Sequence, residues 1–118
     1  MSIGGEVSSH ITAFCRLNGY KAHMIFNAEK CLAKIGELHN EVDVVYINGT
    51  VAADKCAMLI SKVKQIEYNV KILVAANDAS ARNNILEYGA DDFTIKPVSL
   101  EIIFSKISML LLLKIRNI

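Results

Sequence analysis

Few residues in this chain have the type and spacing to do chemistry. The three histidines, His10, His23 and His39, are scattered, and no Ser/His/Asp or Cys/His set shares a local motif, so nucleophilic hydrolysis has no visible apparatus. Cys15, Cys31 and Cys56 are odd in number and widely spaced. They form no Cys-x-x-Cys pair and no metal-ligand spacing with the histidines. Gly4-Gly5 lacks the pattern of a phosphate-cradling loop. What remains is Asp91-Asp92, two adjacent carboxylates that could attract a cation, and Lys96, which could hold an anion or a partner's carboxylate but whose plainer reading is a structural hydrogen bond to Asn48 or a backbone carbonyl. These groups do not add up to a reaction. The expectation is a non-enzymatic chain with no metal and no cofactor, its cysteines reduced core thiols in a cytosolic protein.

The elements that would position these residues follow from periodicity. Val7, Ile11, Phe14 and Cys15 recur at helical spacing, and Asn18-Gly19 stops that helix. Residues 22–26 read as a short strand. Asn27 then caps a helix carrying Cys31, Leu32, Ile35 and Leu38 on one face. The β-branched runs over 42–47 and 70–75 alternate little, as strands covered on both faces do. A helix with Cys56, Leu59, Ile60, Val63 and Ile66 lies between them. A short helix over 80–88 ends at Gly89, residues 93–95 form a brief strand, and Ser99 caps a last long helix. Asp91-Asp92 falls in the helix-to-strand turn, and a solvated turn is the plain reading of it. Strict alternation of helix and strand requires a parallel sheet covered by helices on both sides, a doubly wound α/β fold. Only residues 1–3 are left for an opening strand, so that strand is expected to be short or missing.

Composition bounds the rest. A length of 118 residues suits one domain over 1–118. Lys and Arg number 13 against 12 Asp and Glu, too even a balance for a dedicated nucleic-acid binder. Apolar residues make up 53% of the chain, which excludes disorder and exceeds the usual share of a soluble domain. The N-terminus has neither the basic nor the apolar region of a signal peptide. Glu101, Lys106, Lys114 and Arg116 interrupt the most apolar tract, 100–118, and argue against a membrane span.

From Gly19 onward the chain resembles the receiver domain of two-component response regulators. Gly89-Ala90-Asp91-Asp92-Phe93-Thr94-Ile95-Lys96-Pro97 is very close to the Gly-Ala-Asp-Asp-Tyr-x-x-Lys-Pro segment of that family, and 43–48 resembles its phosphoacceptor strand. The resemblance implies a flavodoxin-like sheet in the order 2-1-3-4-5. It also implies a site in degenerate form. Asn48 stands at the phosphoacceptor aspartate, and an amide offers no anionic oxygen to attack phosphorus. Gly4 and Gly5 stand where the acidic pair would hold Mg²⁺, a hard cation that takes carboxylate oxygens. Ala76 replaces the switch hydroxyl, and Phe93 keeps the switch aromatic without its phenol. Lys96, with Pro97, is retained. Deamidation at Asn48-Gly49 would return a carboxylate without its metal ligands. The expectation is a pseudo-receiver in cytoplasmic signal transduction that is not phosphorylated on aspartate.

The last helix gives this reading its mode of action. Leu100, Ile103, Phe104, Ile107, Leu110 and Leu111 mark a core stripe, yet Ile102, Met109, Leu112, Leu113 and Ile115 lie off it. With Phe104, these off-stripe residues form the expected interaction surface, for a protein partner or a second copy, without nucleic acid or membrane. Two alternatives stand beside this. One is a regulatory or dimerising domain of a longer transcription regulator or hybrid kinase. The other is a small α/β ligand-binding protein or enzyme, which would need a deep polar pocket near Asn48 and Lys96. For the opening strand the options are a rearranged four-stranded sheet, an element exchanged with another copy, or a start downstream of the natural one.

Overall fold

Each β-branched run becomes a strand, and each amphipathic stretch becomes a helix laid against it. The computed structural model describes residues 2–3, 8–19, 24–25, 28–38, 42–48, 53–67, 69–76, 78–95 and 99–116. The elements alternate throughout: β1 (Ser2–Ile3), α1 (Ser8–Leu17), β2 (Met24–Ile25), α2 (Ala28–Glu37), β3 (Val44–Asn48), α3 (Ala53–Ile66), β4 (Lys71–Ala76), a 3₁₀ turn (Ala79–Ala81), α4 (Arg82–Glu87), β5 (Asp92–Ile95) and α5 (Leu100–Arg116). The strands form one parallel sheet in the order β2-β1-β3-β4-β5. The first strand is therefore short and present. Ser2 and Ile3 pair with Met24 and Ile25 on one side and with Tyr46 and Ile47 on the other, so the sheet needs neither rearrangement nor exchange.

Alternation along β3 and β4 divides the core in two. Val45, Ile47, Ile72 and Val74 face α2, α3 and α4, where they meet Cys31, Ile35, Ile60, Val63 and Ile85. Val44, Tyr46, Leu73 and Ala75 face the other layer and meet Ile11, Ile103, Ile107, Leu110 and Leu111. Because both faces are covered, the central strands are apolar without alternating in polarity.

Two helix ends, one a stop and one a start, have visible causes. Gly89 takes φ 114°, and the Ala90 N–H reaches back to the Ile85 carbonyl at 3.3 Å, the pattern of a left-handed C-terminal cap. At the start of α5 the Ile102 N–H donates to Ser99 Oγ at 3.2 Å, so Ser99 is the cap its type suggested. The expected cap Asn27 and the apolar position Val7 lie outside the described residues, as does the side chain of Cys56. One assignment in α3 needs correction. Ile66, expected on the buried face, is 41% exposed, and Glu67 is buried in its place. The buried row continues from Val63 by four residues, so Glu67 comes inward and Ile66 turns out.

Candidate functional site

In an open parallel sheet the natural place for a site is the crevice at the carboxyl ends of the strands. Here β3 ends at Asn48 and β4 at Ala76, with Asn48 in register with Ala75 and Ala76 with Ile95. The ends of β3, β4 and β5 thus converge. Ala76 is buried and belongs to the same apolar cluster as Phe93, Val74 and Ile85. The side chain of Asn48 and the residues Gly4, Gly5, Lys96 and Pro97 lie outside the described residues. The types are still decisive for a metal. Two glycines and an amide supply no anionic oxygen, so the positions that the resemblance assigns to Mg²⁺ do not suit that ion.

The paired carboxylates of the turn before β5 sit at the opposite end of the sheet, and they are structural. Asp91 Oδ2 accepts from Lys64 Nζ and from the Ile72 N–H, each at 2.8 Å, while Lys71 Nζ lies 3.7 Å from Oδ1. The Asp91 N–H donates to the Ile72 carbonyl at 2.8 Å, and Lys64 Nζ donates to the Val70 carbonyl at 2.6 Å. One carboxylate therefore ties the end of α3 and the start of β4 to the entry of β5. Asp92 points to the other layer. It accepts from Lys106 Nζ of α5 at 3.0 and 3.2 Å and from the N–H of Phe93 at 2.7 Å. The turn lies where it is expected and is partly solvated, with Asp91 exposed and Asp92 half-buried, but both carboxylates also hold lysines from distant elements. No local spacing could have revealed those lysines, because they lie 14 to 27 residues away along the chain.

Burial governs the remaining reactive groups. Loss of hydration pushes the Cys31 thiol up to about 11 and the Tyr46 phenol up to about 12, and it raises Cys15 as well. None of the three is thereby activated: a thiol or phenol held in its neutral form is a poor nucleophile. The exposed His10 stands five residues before Cys15 on α1, a spacing that does not bring two helical side chains together.

The last helix carries both kinds of residue expected of it. Ile103, Ile107, Leu110 and Leu111 are buried, whereas Ile102 is 48%, Met109 58%, Leu112 45% and Leu113 43% exposed. Phe104 does both: half-buried, it packs on the α1/α5 cluster and stacks on Phe14 of α1 with ring centroids 3.9 Å apart. Between the two helices runs a shallow groove lined by Phe14, Phe104, Glu101, Ser105, Ser108, Met109 and Leu112. The side chain of Ile115 lies outside the described part. No described helix is long and apolar enough to cross a membrane.

No protein-family model and no curated protein matches the sequence. Solved structures match closely in shape. A CheY-like response regulator receiver domain protein from Methanospirillum hungatei JF-1 superposes with a TM-score of 0.82 at 21% identity, over 98% of this chain and 94% of the other. The beryllofluoride-activated NtrC4 receiver domain dimer gives 0.81 at 18% identity, over 96% and 95%. An atypical orphan response regulator, described as having a phosphorylation-independent regulatory mechanism, gives 0.75 at 18%, over 94% and 95%. In architecture this chain shares the fold of these receiver domains, a parallel sheet in the order β2-β1-β3-β4-β5 flanked by helices.

Proposed function

We propose that this chain is a pseudo-receiver: a signalling module that acts through protein–protein contact and is not switched by aspartyl phosphorylation. The observation that carries the reading is Asn48 as the final residue of β3, where a receiver would present its phosphoacceptor. An amide there cannot form an acyl phosphate, and Gly4 and Gly5 would give Mg²⁺ no carboxylate. Ala76 and Phe93 support the same reading, because both sit in one apolar cluster and neither bears a hydroxyl to follow a phosphoryl group. Output then depends on which conformation a partner binds more tightly, and the exposed apolar side of α5 is the surface that would bind it.

The test is treatment of the chain with a small phosphodonor and Mg²⁺, followed by intact mass, beside a beryllofluoride/Mg²⁺ titration. The expected result is an unchanged mass and no saturable binding. Asn48→Asp should behave the same way, because the nucleophile would return without its metal ligands. A hydroxylamine-labile phosphoryl adduct on the unaltered chain would overturn the reading.

A further inference from the structure

We infer that the groove between α1 and α5 is filled by the same groove of a second copy, with the two α5 helices antiparallel about a two-fold axis beside Ser108. This rests on the protein-contact reading above and gives it a partner and a register. The groove's floor is the Phe14–Phe104 stack, whose planes lie within 5°, and its wall is the outer seam of α5. Glu101, Ser105, Ser108 and Leu112 follow one another at intervals of four, three and four, the spacing by which one helix presents a continuous seam to another.

Side-chain size is graded along that seam. Its first half carries the small hydroxyls of Ser105 and Ser108, and its second half carries the exposed, bulky Met109 and Leu112. A seam graded in this way complements itself only when reversed. Turning one copy about the 108–109 position sets Leu112 opposite Ser105, beside the aromatic floor, and Met109 opposite Ser108. The same operation sets the acidic first turn, with Glu101, opposite the last turn, whose sequence is Lys114-Ile115-Arg116. A parallel pairing would oppose Glu101 to itself, stack leucine on leucine and leave a gap between facing serines. Antiparallel helices also align opposite dipole ends. Size and charge thus select an isologous contact between two copies. The other apolar side of α5, with Ile102 and Leu113, shares the flank of Lys106, whose ammonium reaches Asp92 of β5. It would be a different interface.

The experiment is sedimentation velocity on the full chain over a dilution series, with circular dichroism to confirm folding of each variant. A dimer is expected. Glu101→Arg and Arg116→Glu should each weaken it at least about fivefold, since each charge pair occurs twice across the two-fold, and the double swap should restore it. Ser108→Cys should give a covalent dimer on mild oxidation beyond the background of the unaltered chain, and Ile102→Cys should not. A dimer that ignores the charge swap, or that is cross-linked through position 102 instead of 108, overturns this register while leaving the protein-contact reading intact. A monomer at all concentrations overturns the dimer itself, whereas the phosphodonor experiment judges the pseudo-receiver reading independently.

Discussion

Burial sets the chemistry of Tyr46, which stands in the strand that ends at Asn48 and is 2% exposed among Ile11, Leu73 and Ile103. Its phenol is raised to about 12 and the Cys31 thiol to about 11 by lost hydration. The folded chain therefore keeps both protons at pH values where the unfolded chain, with ordinary values near 9.0 and 10.0, releases them. Their stabilisation is complete below about pH 9 and is lost as pH rises through the folded values. Urea midpoints should fall steadily above that pH, and Tyr46→Phe should flatten the part of the fall above about pH 10; a midpoint independent of alkali would contradict the burial described here. Asp91 makes the complementary case. Its carboxylate holds Lys64 and the Ile72 N–H, so Asp91→Ala should cost about 2 kcal/mol, with Asp91→Asn milder because an amide oxygen can still accept. Chemical denaturation would measure both. The sequence marked the Asp91-Asp92 pair but could not show what it does, because charge pairing between α3, β4 and β5 exists only after the sheet has formed.

At the level of elements, legibility followed burial. The strands were readable because burial on both faces demands continuous apolar β-branched runs, and 44–48 and 71–76 fall within two residues of the expected spans. The stop of α4 and the start of α5 were readable because Gly89 and Ser99 carry out local, chemically specific tasks. What was hard to read was β1. Two residues carry no periodicity, and only their pairing with both β2 and β3 makes them a strand. Ile66 was misplaced for a related reason: the period from Cys56 to Val63 fits either Ile66 or Glu67 next, and only packing decides. Two element-scale predictions follow from the caps. Gly89→Ala meets no close atom, its nearest neighbours being at 3.6 and 3.7 Å, so any loss reports the positive φ alone, about 1 kcal/mol. Ser99→Ala removes the acceptor for the Ile102 N–H and should cost about 1 kcal/mol, with Ser99→Asp close to neutral. Thermal melts of the two variants separate backbone strain from capping.

For the molecule as a whole, the question set by composition is where the surplus of apolar residues goes. The five-stranded sheet uses a large part of it, since both of its faces are covered and β1 is in place between its neighbours. The domain thus closes its own sheet, and among the described residues the densest part of the remaining surplus is on the outside of α5, at Ile102, Met109, Leu112 and Leu113, while Leu17, Met58 and Tyr88 are exposed singly elsewhere. A patch that serves only the chain's own core would affect stability equally at every protein concentration. A patch that serves association couples to folding by mass action, because a partner that binds only the folded state stabilises it in proportion to occupancy. The midpoint of thermal unfolding should therefore rise with the concentration of the unaltered chain. In Met109→Lys/Leu112→Lys it should not, while matching the parent in the dilute limit, since both side chains already face solvent in the single chain. A uniform drop at all concentrations would instead assign these residues to the internal packing of α5 against α1, and the surplus would need no partner to explain it.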